Sequence, residues 1–123
     1  MGYMTNGLSF NTLRDANKKR MQEAFSSCQT WGRSQWLQAI VGELGEFANI
    51  LKKIDRGDFT VSHAEADLAK ELADIVTYID IMAETLGIDL GDAIRDKFNE
   101  VSDRVGSKIL IDVDDWYYRR EEK

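Results

Sequence analysis

Leu37-Gln38-Ala39-Ile40-Val41-Gly42-Glu43-Leu44-Gly45-Glu46-Phe47-Ala48-Asn49-Ile50-Leu51-Lys52-Lys53-Ile54 is the stretch that decides the fold. Leu37, Ile40, Val41, Leu44, Phe47, Ala48, Leu51 and Ile54 recur at steps of three and four, the spacing of one helix face and not the alternation of a strand. Ser34 is expected to cap this helix, and Arg56-Gly57-Asp58 to end it, glycine supplying the left-handed stop. Upstream, Phe10, Leu13, Met21, Ala24 and Phe25 mark a helix over Asn11–Phe25, followed by a connection over Ser26–Arg33. Downstream, Ser62-His63-Ala64-Glu65 has the form of a capping box. It opens a third helix with the stripe Leu68, Leu72, Ile75, Val76, Ile79, Ala83 and Leu86, closed by Gly87. Asp89 caps a fourth, carrying Leu90, Ala93, Ile94, Phe98 and Val101 and stopped by Gly106. Proline is absent. The tail from Ile109 to Lys123 alternates briefly, then brings Trp116, Tyr117 and Tyr118 together. It has no assigned structure, though three adjacent aromatics suit docking on a neighbour. The pattern predicts an all-α, four-helix bundle-like domain spanning 1–123, its core near 31–106, with a short C-terminal extension.

Two acid pairs stand on the two best helices: Glu43 with Glu46, and Glu71 with Asp74. Residues three apart are neighbours on a helix face, and each pair borders its helix's apolar stripe. If those stripes pack antiparallel, four carboxylates meet at the seam, where like charges repel unless a cation compensates them. An all-oxygen donor set selects a hard ion, magnesium or manganese. Acid pairs are also common on solvated faces. The placement of both beside a core stripe, and the mid-helix glycines Gly42 and Gly45, favour a site. Each such glycine costs about 1 kcal/mol relative to alanine, which close approach of another group would explain.

The composition removes several alternatives. Twenty-two acidic against sixteen basic side chains give a net charge of −6, which argues against binding a nucleic-acid polymer or an anionic membrane. No apolar run approaches the ~18 residues of a membrane span. The single cysteine, Cys28, forms no internal disulfide, and a reducing cytoplasm is the expected setting. His63 reads as a solvated first-turn residue, no Glu-x-x-His motif exists for a di-iron site, and no glycine-rich phosphate loop appears. Lys52, Lys53 and Arg56 follow the first acid pair, and Lys97, Arg104 and Lys108 lie on or just beyond the fourth helix. These are candidates to neutralise phosphate oxygens. Trp31, Trp36, Phe47 and Tyr78 lie near the working edges, where an aromatic can stack on a base.

The run Trp36 to Asp58 with its Gly42-Glu43-Leu44-Gly45-Glu46, then Glu71-Leu72-Ala73-Asp74-Ile75-Val76-Thr77-Tyr78, then Lys97-Phe98-Asn99-Glu100-Val101-Ser102-Asp103-Arg104-Val105-Gly106, resembles the MazG-like all-α nucleoside triphosphate pyrophosphohydrolases. The ordered set covers Trp31 to Gly106 and is most similar to the short single-domain type of bacteria and their viruses. The resemblance implies an enzyme splitting a (deoxy)nucleoside triphosphate into monophosphate and pyrophosphate in control of nucleotide pools. It implies Glu43, Glu46, Glu71 and Asp74 as ligands of Mg2+, which Mn2+ could replace, with Glu46 orienting water. It further implies substrate contacts from Lys97, Asn99 and Arg104, Tyr78 near the sugar or base, and a homodimer or homotetramer. Lys53, Arg56 and Trp36 are expected from their own chemistry to meet substrate as well, and the setting expected is the cytoplasm, or a host's if the source is viral. The substrate expected is a purine deoxynucleotide, dGTP; the alternatives are a pyrimidine one, dCTP or dUTP, or a non-enzymatic helical interaction module.

Overall fold

A computed structural model describes residues 2–4, 7–28, 30–114 and 116–121. Gln29 of the predicted connection, and Asp115, Glu122 and Lys123 of the tail, lie outside them. The elements run β1 (Gly2–Met4), α1 (Phe10–Ala24), a 3-10 turn (Ser26–Cys28), α2 (Arg33–Asp55), α3 (Val61–Thr85), α4 (Leu90–Val105), β2 (Ile109–Ile111) and β3 (Trp116–Arg119). Four α-helices stand among the described residues, as the periodicity predicts, and the all-α chain carries a short β extension that the periodicity does not show.

The chain forms two compact units, one of residues 13–87 and one of 1–12 with 88–123. In the first, α2 and α3 pair along most of their lengths. The buried or half-buried side chains of α2 are Trp36, Ala39, Ile40, Glu43, Phe47, Ile50, Lys53 and Ile54, and those of α3 include Ala64, Leu68, Glu71, Ile75, Tyr78 and Met82. Alternate steps of four and three through Trp36, Ile40, Glu43, Phe47, Ile50 and Ile54 describe one seam, the knobs-into-holes spacing of near-parallel helices. The predicted stripes therefore need correcting. Leu37, Val41, Leu44 and Leu51 of α2, and Leu72, Val76 and Leu86 of α3, are exposed. The apolar residues of each helix exceed one seam, and the packed face includes the glutamates instead of merely bordering them.

Two caps are also corrected. α2 begins one residue before Ser34, at Arg33; Gly32 is its N-cap, and its amide donates to Gln35 Oε1 at 3.0 Å. α3 is capped by Thr60, whose Oγ1 accepts from the His63 amide at 3.2 Å, so Ser62 already lies inside the helix. Either hydroxyl can do this; the chain takes the one that lets Val61 start the helix. Asp89 caps α4 as predicted, accepting from the Asp92 amide at 3.0 Å, and Gly57, Gly87 and Gly106 take φ of 88°, 71° and 76° at the helix stops.

In the second unit β1, β3 and β2 form a three-stranded antiparallel sheet in that order, with Tyr117 opposite both Tyr3 and Ile111. The tail is thus a strand pair, with Trp116 and Tyr118 half-buried and Tyr117 exposed. Strand β2 packs on α4. Asn99 of α4 mimics a neighbouring strand there: its Nδ2 donates to the Ile111 carbonyl at 2.9 Å and its Oδ1 accepts from the Ile111 amide at 2.8 Å.

Candidate metal centre

Glu43 lies between Ile40 and Phe47 on the packed face of α2, and Glu71 between Leu68 and Ile75 on that of α3, so pairing the helices turns the two glutamates toward one another. Glu46, one turn beyond Glu43, is exposed at the rim. One carboxylate oxygen from each of Glu43, Glu46 and Glu71 lies within 4.8 Å of the other two. At that spacing ionised carboxylates repel by roughly 3 kcal/mol a pair at an effective dielectric near 20. The site answers by holding a proton. Glu43 is raised from 4.5 to about 7, first by its hydrogen bond to Glu71, then by burial, then by the charges of Glu46, Glu71 and Asp74. Among the described residues Glu71 Oε2 is buried with no hydrogen-bond partner. A buried oxygen left unpaired beside a protonated carboxyl is the donor set a hard divalent cation fits, because the cation satisfies the oxygen and replaces the proton.

Asp74 is exposed, one turn along α3 from Glu71, and its charge acts on both Glu43 and Tyr78. It also lines a cavity of about 400 Å³ with Trp31, Trp36 and Tyr78 and, from α1, Arg20 and Met21. Trp31 meets Trp36 edge to face at 4.9 Å between ring centroids, and Trp36 meets Tyr78 at 5.8 Å. Burial raises the Tyr78 phenol above its usual value, with Asp74 and Glu43 adding to it and Arg20 opposing. The Arg20 guanidinium lies 5.5 Å from the centroid of the Phe25 ring, which also lines the cavity.

The other expected contacts are placed as follows. Lys53 is half-buried on α2, and Arg56 at its end is paired with Asp58, its Nε 3.1 and 3.2 Å from the carboxylate oxygens. Lys97, Asn99 and Arg104 belong to the second unit. There Lys97 pairs with Glu100 at 3.2 Å, Asn99 is engaged by Ile111, and Arg104 is exposed in the last turn of α4. A Cβ on Gly42 or Gly45 would meet nothing within 4 Å, so no neighbour among the described residues explains glycine at either place. The sequence reading missed the contribution of α1, because Arg20 sits in the run Asn17-Lys18-Lys19-Arg20, which reads as a solvated face. The signal available was Asp80, a charge set amid the apolar residues Ile75, Val76, Ile79 and Ile81, which needs a partner from elsewhere.

One family model, the MazG nucleotide pyrophosphohydrolase domain, matches residues 32–106 and so takes in both acid pairs and all of α4. No curated protein and no solved structure matches the chain at a significant level. Among the described residues no helix is long and apolar enough to cross a membrane.

Proposed function

The chain belongs to the MazG nucleotide pyrophosphohydrolase family, and on that premise we propose that it hydrolyses a deoxynucleoside triphosphate, dGTP, to the monophosphate and pyrophosphate in a divalent-metal-dependent reaction. The observation that carries this is the juxtaposition of the Glu43–Glu46–Glu71 cluster with the aromatic cavity, Asp74 lining the cavity while its charge acts on Glu43 of the cluster. Glu43, Glu46, Glu71 and Asp74 would hold Mg2+, or Mn2+ in its place, which supplies charge neutralisation of the triphosphate and activation of water. Glu46, exposed at the rim, orients the attacking water for in-line displacement. Trp36 and Tyr78 flank the base or sugar, and the two helix-embedded glutamates are held in position by the seam that buries them. Arg20 lines the cavity and is proposed to read the base, since a guanidinium fork matches the O6 and N7 acceptors of guanine; the O2 and N3 acceptors of cytosine offer a comparable pair, so the base preference is decided by the nucleotide panel. Lys53, Arg56, Lys97 and Arg104 are proposed to meet phosphate oxygens, and Asn99 to act near them. The active form is proposed to be a dimer or tetramer in the cytoplasm, of the short type found in bacteria and their viruses.

The test is a panel of nucleotides incubated with the protein and Mg2+, with pyrophosphate resolved from single phosphate. Pyrophosphate release that is fastest with dGTP and stopped by chelation is expected. Preference for dCTP or dUTP would overturn the base assignment, and release of single phosphate would overturn the bond assignment.

A further inference from the structure

Asp80 is the most deeply buried charged side chain among the described residues, at 0% exposure, and the chemistry above makes no use of it. It lies on α3 opposite α1. Arg14 Nε donates to both of its oxygens, at 3.1 and 3.2 Å, and Asn17 Nδ2 donates to Oδ2 at 3.0 Å. Asn17 is also the only described side chain of α1 that is buried. A helix normally binds its domain through an apolar stripe. Here Leu13 and Met21 are only half-buried, and the deepest contact of the helix is a polar triad.

That choice is costly in a way that needs a reason. A buried ion pair is commonly matched or exceeded in stability by apolar residues of similar volume, because both charges must leave water. Directional hydrogen bonds do what apolar contacts do poorly, which is to fix register. Arg14 and Asn17 are three apart and Met21 a further four, so all lie on one side of α1. Numbers rise along α1 from Asn17 to Arg20 and Met21 while they fall along α3 from Asp80 to Tyr78, Thr77 and Asp74, so the helices run antiparallel. The cavity wall begins at Asn17, one end of the triad, and Arg20 and Met21 continue it about one helical turn further along. A slip of α1 by one residue would turn Arg20 by ~100° out of the cavity.

We propose that Asp80 is a positioning residue for nucleoside recognition, locking α1 through Arg14 and Asn17 so that Arg20, Met21 and Phe25 form one wall of the aromatic cavity. The inference rests on the proposed hydrolase reading for its ligand, and its test has a readout independent of turnover. Cys28 is the only thiol in the chain and lines the same cavity, half-buried, so its reaction with a disulfide reagent reports how firmly the α1 wall is held.

Two variants of the full chain are compared with the wild type: Asp80→Asn, and the double substitution Arg14→Met with Asp80→Leu, which removes both charges. The double variant is expected to keep wild-type helicity by circular dichroism and to melt within a few degrees of the wild type. Its Cys28 is expected to react about tenfold faster. KM for the nucleotide is expected to rise about tenfold with kcat within about threefold, the pattern of lost binding without lost chemistry. A merely structural pair would leave both the thiol rate and KM unchanged in a folded variant. Either readout unchanged in a folded variant overturns the proposal, as does loss of helicity in both variants, which would make the triad a requirement of the fold alone. If the wild type hydrolyses no nucleotide, the hydrolase reading fails by itself and the Cys28 rate alone decides the positioning claim.

Discussion

Glu43 concentrates the electrostatics of the site, and its proton makes the metal's place measurable. Below about pH 4.5 the carboxyl is protonated in folded and unfolded chains alike; between there and about 7 only the folded chain keeps the proton. Stability falls with rising pH wherever the folded state binds more protons, so this contribution is complete below pH 4.5 and lost as pH climbs through 7. In chelator, the melting temperature should therefore drop from pH 5 to pH 8 more steeply for the wild type than for Glu43→Gln. Parallel profiles would show that Glu43 carries no shared proton. A cation that displaces the proton should bind more tightly as pH rises, levelling above about 7. Glu43→Gln, Glu71→Gln and Asp74→Asn should each abolish hydrolysis with the fold retained or strengthened, because each removes a repelling charge along with a proposed ligand; wild-type turnover in any two would remove these residues from the site. Arg20 gives the second residue-scale expectation. With the guanidinium gone in Arg20→Gln, KM for dGTP should rise about tenfold while that for dCTP moves little, the outcome expected when the fork is set for guanine O6 and N7. Equal effects on both would leave Arg20 a wall and not a reader.

At the scale of elements, the caps and the sheet edge separate what the sequence carries openly from what it carries ambiguously. Removing the α3 cap with Thr60→Ala should cost about 1 kcal/mol by denaturant unfolding, and Ser62→Ala only a few tenths; the reverse order would restore the capping box at Ser62. Helix existence was legible because three- and four-residue spacing is a property of the chain itself. Which hydroxyl caps was not, since Thr60 and Ser62 both precede the same stripe and only the burial of Ala64 in the first turn chooses between them. The same limit applies to the site. The spacing of Glu43, Glu46 and Glu71 was readable, but their position inside the seam was not, because α2 has enough apolar residues for two faces and the sequence does not say which one α3 takes. The strands were missed because three- and four-residue segments are too short to show alternation, and β1 pairs with β3 from the far end of the chain. Asn99 illustrates the cost of that miss. Both ends of its amide are spent on Ile111, so Asn99→Ala should leave a part-buried strand edge unpaired and lower stability by about 1–3 kcal/mol. Lys97→Ala should leave stability nearly unchanged, its pairing with Glu100 being exposed, and lower kcat/KM if it meets phosphate.

The whole molecule carries more apolar helix surface than one chain uses. Within the 13–87 unit, α2 shows Leu37 at 51%, Val41 at 58%, Leu44 at 46% and Leu51 at 39% exposure, and α3 shows Leu72 at 50% and Val76 at 41%. On α2 these residues, with the exposed Ala48, follow steps of four and three, as a second packing seam would. A net charge of −6 keeps copies apart only weakly at physiological salt, where the screening length is about 8 Å, and burying large apolar side chains opposes that repulsion directly. By helix arithmetic Leu44 stands about 160° round α2 from Glu46, so a second copy seated on this seam would pack on the side of α2 away from the exposed rim of the carboxylate cluster. Assembly on this seam should then be separable from the chemistry of the cluster. Light scattering of the wild type at micromolar concentration should give at least twice the 14.0 kDa of one chain. Val41→Glu, chosen because it is the most exposed apolar residue of the seam and lies outside the acid cluster, should shift that mass toward one chain. A wild type that scatters as a single chain and hydrolyses nucleotide at full rate would show the exposed seam to be idle, and the active site to be complete within one copy.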